Sequence, residues 1–208
     1  MLALRTVVTP DSNARRALVS ALKFSTKLDQ QGVHLKIAVN LDLETLAKIP
    51  IAQLVSQHRP KGDQWPGLLL EVPEAQLINK VVSVREQFQE LRKCGVTLAI
   101  DNFGRGNSSF AALRYLPFTE LKIDPSFVQN CAANKGNARI CKSMTQFAHN
   151  FERTVAAVGI ETIEDAQAIM GLGCNIGQGY IFGKPMTEQQ LVTMVMTGRE
   201  KSETFVST

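Results

Sequence analysis

Short apolar runs alternate with longer amphipathic stretches along most of this sequence. Six of the runs predict buried β-strands, because they are rich in aliphatic and β-branched residues and are bounded by polar or turn residues. These runs are Lys36–Leu41, Gly67–Val72, Thr97–Asp101, Glu120–Ile123, Thr154–Val158 and Asn175–Tyr180. Nearly continuous apolar strands are typical of parallel sheets that are covered on both faces.

The stretches between these runs place apolar residues at the three- and four-residue spacing of amphipathic helices. The clearest is Glu74–Cys94, and Gly95 follows it as a C-terminal stop. Asp42–His58 predicts a helix that breaks at Pro50. The further predicted helices are Ser108–Tyr115, Ala138–Phe151, Ile163–Leu172 and Thr187–Thr197.

This succession of βα units predicts one α/β domain with a parallel sheet covered by helices. Two architectures fit the pattern. In a barrel the carboxyl ends of the strands converge on one face, and in an open doubly wound sheet they lie along one edge. No GxGxxG sequence follows the first strand, which disfavours a dinucleotide-binding fold. We expect the domain to span residues 1–197 and a polar tail to span residues 198–208.

Composition narrows the class of protein. The chain has 208 residues, of which 44% are hydrophobic, and this is enough for one domain with a core. The net charge of +4 is spread along the sequence, which disfavours binding to a nucleic acid polymer. The four cysteines have no metal-binding spacing and predict free thiols. No apolar run approaches the ~18 residues of a transmembrane helix, so we expect a cytoplasmic protein without membrane attachment.

Polar side chains stand at or next to the ends of five predicted strands. They are Asn40, Glu71, Asp101, Asp124 and Gln178. Amide and carboxylate oxygens are the ligands that Mg²⁺ and Mn²⁺ prefer, and a metal held by them can activate water beside a phosphoryl group. The ammonium group of Lys122 can neutralise a phosphate or hold a water. One such residue alone is more often a solvated or capping group, but five at successive strand ends indicate a shared site.

Seven segments, taken in order, resemble the motifs of the EAL-domain family, the cyclic-di-GMP phosphodiesterases. The likeness covers roughly residues 15–193. The matches are 38–41 to VNLS, 70–74 to ExTE, 101–104 to DDFG, 104–109 to GTGxSS, 121–124 to LKID, 157–162 to AEGVET and 177–185 to QGYxFxxP.

The resemblance implies a (β/α)8-type barrel that hydrolyses cyclic-di-GMP to linear pGpG with two Mg²⁺ or Mn²⁺ ions. By motif position it makes Asn40, Glu71 and Asp101 metal ligands. It places Lys122 near the metal-bound water, as a catalytic and ligand-binding residue.

The resemblance also assigns three residues outside the metal-ligand set. Glu74 matches the anchor of the loop that follows Asp101. Glu161 matches a catalytic position, and Gln178 matches a ligand-binding position. These assignments come from the motifs and from no other property of the sequence.

Departures from the family pattern predict loss of the reaction. Asn102 replaces the second Asp of DDFG, a metal ligand, and Val158 replaces the catalytic Glu of AEGVE. The first two family strands are missing from the predicted set, and Leu2 stands where the Glu of the EAL signature would be. Two-metal hydrolysis needs both ions, so these losses act as a unit. The missing strands would also leave two sheet edges for the N-terminal segment, a second subunit or a rearrangement to cover.

We therefore expect an incomplete TIM-like barrel of EAL type with about six parallel strands and little or no phosphodiesterase activity. Its expected role is in cyclic-di-GMP signalling, through protein interaction or through nucleotide sensing. The expected partners are cyclic-di-GMP and a protein, which includes a second copy of the chain. The alternative is an active phosphodiesterase, loaded with Mg²⁺ or Mn²⁺, whose N-terminal part is absent here or supplied by another chain.

Overall fold

A parallel β-sheet forms the centre of the protein. The structure is a computed structural model that describes residues 7–8, 14–77, 80–106 and 113–204. The strands pair in chain order, and every neighbouring pair is parallel. The strands are β1 (Val7–Val8), β2 (Ile37–Asn40), β3 (Leu68–Pro73), β4 (Val96–Phe103), β5 (Phe118–Ile123), β6 (Thr154–Val158) and β7 (Ile176–Gln178).

Described helices connect every pair of successive strands except β4 and β5, and because neighbouring strands are parallel, each connection returns the chain to the amino end of the next strand. This is the βα repeat of a TIM-like barrel. The helices are α1 (Ala14–Gln30), α2 (Leu43–Lys48), α3 (Ile51–His58), α4 (Glu74–Leu77), α5 (Val81–Lys93), α6 (Pro125–Val128), α7 (Lys135–Asn150), α8 (Ile163–Gly171) and α9 (Glu188–Thr204). No helix in the described ranges is long and apolar enough to cross a membrane.

The predicted fold class is confirmed. All six predicted strands are present and curl into part of a TIM-like barrel. The structure adds β1, a two-residue strand that pairs with β2 through Val7–Ala38 and Val8–Val39. The N-terminal segment therefore covers one of the two edges that the sequence left open. Within the described residues, no pairing joins β7 back to β1.

Three predicted helices can be compared further: one is divided as predicted, one is longer, and one lies mostly outside the described residues. The predicted helix Asp42–His58 is divided at Pro50, as expected, into α2 and α3. The last helix runs to Thr204 instead of ending at Thr197, because Arg, Glu and Lys in that stretch are good helix formers. Most of the predicted helix Ser108–Tyr115 lies outside the described residues, as does Leu2.

The two faces of the sheet differ in the size of their side chains. On the outer face, residues such as Val39, Leu70 and Leu98 pack with the helices in one large core. On the inner face, a second small cluster consists of Ala38, Leu69 and Ala99. Side chains alternate between faces along a strand, so the inner face continues from this cluster toward the polar residues at the carboxyl ends.

We expect Asp165 to hold the chain segment between α6 and α7 in place. Its buried carboxylate accepts hydrogen bonds from the backbone N–H groups of Asn130 (3.1 Å) and Ala132 (2.9 Å). Asp165→Ala should therefore lower the free energy of unfolding by about 1–2 kcal/mol, measured by urea denaturation. Glu164→Ala removes an exposed carboxylate from the same helical turn and should change it by less than about 0.5 kcal/mol. Equal losses in the two variants would contradict this role.

Candidate functional site at the carboxyl edge of the sheet

A buried ammonium group lies between two carboxylates at the carboxyl ends of three adjacent strands. Lys122 Nζ, from β5, is 2.5 Å from Glu71 Oε2 of β3 and 3.1 Å from Asp101 Oδ1 of β4. Glu71 has no exposed surface, and Lys122 is 3% exposed. These are charge-assisted contacts inside the protein, where little water screens them. The structure thus brings together three of the residues that the sequence singled out.

Strand alternation and strand order explain why these side chains meet. Glu71 lies opposite Asn40 of β2 on one side and opposite Ala99 of β4 on the other. Asp101 is two residues beyond Ala99, so it points to the same inner face one step closer to the carboxyl edge. Asn40, the remaining predicted metal ligand, is therefore next to Glu71 in the register.

Burial controls the ionisation of Glu71. Removal from water raises the pKa of its carboxyl group above the ordinary value, and the nearby charges of Asp101 and Glu120 add to that rise. Lys122 opposes it with its positive charge and its hydrogen bond. Glu71 Oε2 is used by Lys122, whereas Glu71 Oε1 is buried without a hydrogen-bond partner among the described residues. This oxygen is an available acceptor for a ligand or a cation.

Asn102 supplies a neutral amide where the family pattern has a carboxylate. Its Nδ2 donates a hydrogen bond to Asp101 Oδ2 at 3.2 Å, and its side chain is exposed. Its backbone lies in the left-handed region, with φ at 54°, a conformation that Asn adopts more readily than most residues. The amide thus occupies one oxygen of Asp101 and adds no charge to the site.

Glu74 fixes the turn that follows β4. Its buried carboxylate oxygen Oε2 accepts hydrogen bonds from the backbone N–H groups of Gly104 (2.9 Å) and Gly106 (3.3 Å). A Cβ atom at Gly106 would lie 3.2 Å from this carboxylate, so glycine allows the close approach. Asn107 and Ser108, from the GTGxSS-like part of the loop, lie outside the described residues.

The other predicted residues lie at the ends of β6 and β7. Val158 stands opposite Gln178 in the register, and the Gln178 carbonyl oxygen accepts the N–H groups of Gly159 and Ile160. Gln178 Oε1 is buried without a hydrogen-bond partner in the described part of the chain. Glu161 is exposed and accepts a hydrogen bond from Gln129 at 3.3 Å, so the observed contact joins it to the segment after α6.

Two features of the site were missed by the sequence reasoning. Glu120 is buried, two residues before Lys122 on the same strand face, and the alternation of Glu120, Lys122 and Asp124 was a signal that could have identified it. Arg105 is given no role by the sequence pattern. Its Nη1 is 3.8 Å from Asp124 Oδ2, an ion pair between the ends of β4 and β5 that no local pattern predicts.

The sequence profile of the EAL domain matches residues 12–185. The chain belongs to the EAL domain family. It is 31% identical over 171 residues to the cyclic di-GMP phosphodiesterase RocR of Pseudomonas aeruginosa, a match that covers 80% of this chain and 43% of RocR. It is 33% identical over 179 residues to the oxygen sensor protein DosP of Escherichia coli, covering 85% of this chain and 22% of DosP. The chain thus spans less than half the length of these relatives.

Solved EAL structures share the fold. The PaMucR phosphodiesterase in complex with c-di-GMP superposes with a TM-score of 0.75 at 30% identity, covering 85% of this chain and 72% of that one. The EAL domain of Mycobacterium smegmatis DcpA gives 0.78 at 26% identity, covering 89% and 84%. A manganese and cy-diGMP complex of Klebsiella pneumoniae BlrP1 gives 0.72 at 25% identity, covering 83% and 44%.

Among the described residues, the side chains at this edge do not fit a centre of two divalent cations. Glu71, Asp101 and Asn40 offer oxygen ligands of the right chemistry for one ion. The Lys122 ammonium group lies against both carboxylates, so it competes with a cation for Glu71 Oε2 and Asp101 Oδ1 and leaves Glu71 Oε1 as the free acceptor. Within the described ranges, no three His, Cys, Asp or Glu side chains are grouped so that they could hold a metal ion. Val158, as a hydrocarbon, cannot ligate a metal.

Lys122→Met should lower the free energy of unfolding by about 3 kcal/mol at about pH 7, because Glu71 would stay buried without its counter-charge. The pKa of Glu71 is already raised, so the folded state binds this proton more tightly than the unfolded state. The loss should therefore shrink as the pH falls, because a protonated Glu71 needs no cation. Urea unfolding at neutral and at lower pH, with EDTA present, measures both effects.

Lys93→Met is the matched control for this measurement. Lys93 pairs with Glu90 on the surface of α5 at 2.8 Å, and both side chains are exposed. Surface ion pairs contribute little, so we expect a change below about 0.5 kcal/mol at every pH. A pH-independent loss in Lys122→Met would show that packing of the lysine stem, and not its charge, is what matters.

Proposed function

We propose that this EAL domain binds cyclic-di-GMP as a sensor and does not hydrolyse it. The observation that carries the proposal is which carboxylates are present at the carboxyl edge and what they contact. Glu71 and Asp101 both contact Lys122, and Asn102 and Val158 stand where the family pattern has two further carboxylates. Binding needs shape and phosphate contacts, whereas hydrolysis by this family needs two ions placed around the reacting phosphate.

The losses at Asn102 and Val158 affect different parts of the reaction. An amide in place of a carboxylate is a weaker ligand for a divalent cation, so the second ion is poorly held. A valine in place of a catalytic glutamate can neither ligate a metal nor transfer a proton. Because such residues work together, the loss of both is expected to leave little of the rate enhancement.

Several properties of the edge support binding. Glu71 Oε1 and Gln178 Oε1 are buried acceptors without hydrogen-bond partners among the described residues. Glu74 holds the turn after β4 in one position. The similar PaMucR and BlrP1 structures are complexes with the cyclic dinucleotide, and RocR is named as its phosphodiesterase. We carry the ligand of these proteins over to this chain and not their reaction.

Titration calorimetry and product analysis test the two halves of the proposal. We expect the purified chain to bind cyclic-di-GMP with micromolar affinity or tighter, and EDTA should leave this affinity unchanged. Chromatography after incubation with Mg²⁺ or Mn²⁺ should detect no pGpG. Metal-dependent formation of pGpG that Glu71→Ala abolishes would refute the proposal and establish the alternative, an active phosphodiesterase.

A double variant, Asn102→Asp with Val158→Glu, tests whether the missing carboxylates weaken the binding of divalent cations. It returns two carboxylates to the edge, so it should bind Mn²⁺ at least tenfold more tightly than the wild-type chain in a metal titration. The control is Asn150→Asp with Val82→Glu, which adds the same charges at exposed positions on α7 and α5. An equal gain in Mn²⁺ affinity in both double variants would mean that net charge alone explains it.

Protein interaction is the second candidate function, and exposed apolar side chains beside the last strand favour it. Tyr180 and Phe182 follow β7 directly and are 60% and 37% exposed, and Met186 is 38% exposed. Large apolar side chains that remain exposed together are typical of contact surfaces.

If this surface joins two copies of the chain, sedimentation velocity should show a monomer that becomes a dimer as concentration rises. Tyr180→Ser with Phe182→Ser should then remain a monomer, because it removes most of the apolar area. The control is Val82→Ser, which removes an exposed apolar side chain from α5. A wild-type chain that remains a monomer at every concentration would exclude this arrangement.

A further inference from the structure

We propose that Arg105 is a phosphate-binding residue of this site and takes up the phosphodiester of the cyclic dinucleotide directly. The inference rests on the proposed function and names a residue for it. Arg105 lies in the turn that follows β4, and its side chain is 71% exposed. A guanidinium group suits the role because its planar set of N–H donors matches two phosphate oxygens at once.

The backbone on both sides of Arg105 is fixed. The N–H groups of Gly104 and Gly106 both donate to Glu74 Oε2, so one buried carboxylate holds the turn at two points. Gly104 has φ at 102°, and a Cβ atom there would overlap Met144 and Phe127. The turn therefore packs closely against the protein. A side chain that starts from a fixed backbone loses less freedom when it binds a ligand.

An ion pair holds the guanidinium group near the site, and the group forms no hydrogen bond in that pair. Its contact with Asp124 is 3.8 Å, which is an ion pair but is too long for a hydrogen bond. Asp124 itself is satisfied by Ser126, whose backbone N–H and hydroxyl group donate to Asp124 Oδ1 at 2.9 and 2.6 Å. A phosphate can thus draw Arg105 away and leave Asp124 with its own hydrogen bonds.

Charge balance requires a cation in this place. A cyclic dinucleotide carries two negative charges, and Glu71, Asp101 and Asp124 are carboxyl groups at the same edge. Lys122 is buried against the first two, so its charge is already engaged. Without bound metal ions, the attraction for the phosphate must come from another protein cation, and Arg105 is an exposed one that pairs with Asp124 at the end of β5.

Binding of cyclic-di-GMP to variants of Arg105, measured by calorimetry in EDTA, tests the assignment. Arg105→Ala should weaken binding about 10- to 100-fold, because a charge-assisted bidentate contact is lost. Arg105→Lys should lose less, since it keeps the charge without the planar donor pair. The dependence of affinity on NaCl concentration should also become shallower in Arg105→Ala, a change that a merely structural residue would not cause.

Arg92→Ala is the control, since Arg92 is exposed in the last turn of α5, at the amino ends of the strands. Arg92→Ala should bind cyclic-di-GMP as tightly as the wild-type chain. Arg105→Ala, Arg105→Lys and Arg92→Ala should all keep the wild-type melting temperature. If the wild-type chain binds but Arg105→Ala binds equally well, or loses no more than Arg92→Ala, Arg105 is not a phosphate ligand. If the wild-type chain does not bind, the proposed sensor function is itself wrong.

Discussion

The carboxyl edge of the sheet depends on the buried contact between Lys122 and Glu71. A carboxylate with no exposure is strongly destabilising unless an opposite charge is near it, and Lys122 supplies that charge to Glu71 and Asp101 together. The three side chains come from β5, β3 and β4, so one ammonium group fixes these strands relative to one another. Well-packed apolar residues would stabilise the same place at least as well. Charge retained here is therefore better explained by a ligand than by stability.

The same alternation of side chains that builds the core also delivers this site. On the inner face, small residues such as Ala38 and Ala99 leave room near the middle of the sheet, and the polar residues follow two positions later. Beyond the strand end, the chain must turn sharply away from the site. Glu74, which directly follows the neighbouring strand β3, holds that turn by accepting hydrogen bonds from two backbone N–H groups. Sheet, turn and site are thus parts of one hydrogen-bonded arrangement.

Features that depend on local periodicity could be predicted from the sequence. Features that depend on contacts between residues far apart in the chain could not. The six strands and the break at Pro50 follow from apolar runs and from the missing N–H of proline, so both were found. The two-residue strand Val7–Val8 is too short to have a period and is defined by its pairing with β2. The pair of Arg105 with Asp124 joins two loops, and only the sheet order brings them together.

The substitutions at this edge all make its charge more positive. Asn102 and Val158 each lack a negative charge that the family pattern has, and Arg105 adds a positive charge where that pattern has a neutral residue. A site with excess carboxylates attracts cations, and through them a phosphate. A site that has lost carboxylates and gained a guanidinium group attracts the phosphate itself. The three positions therefore support the proposal that direct recognition of the anion replaces recognition through metal ions.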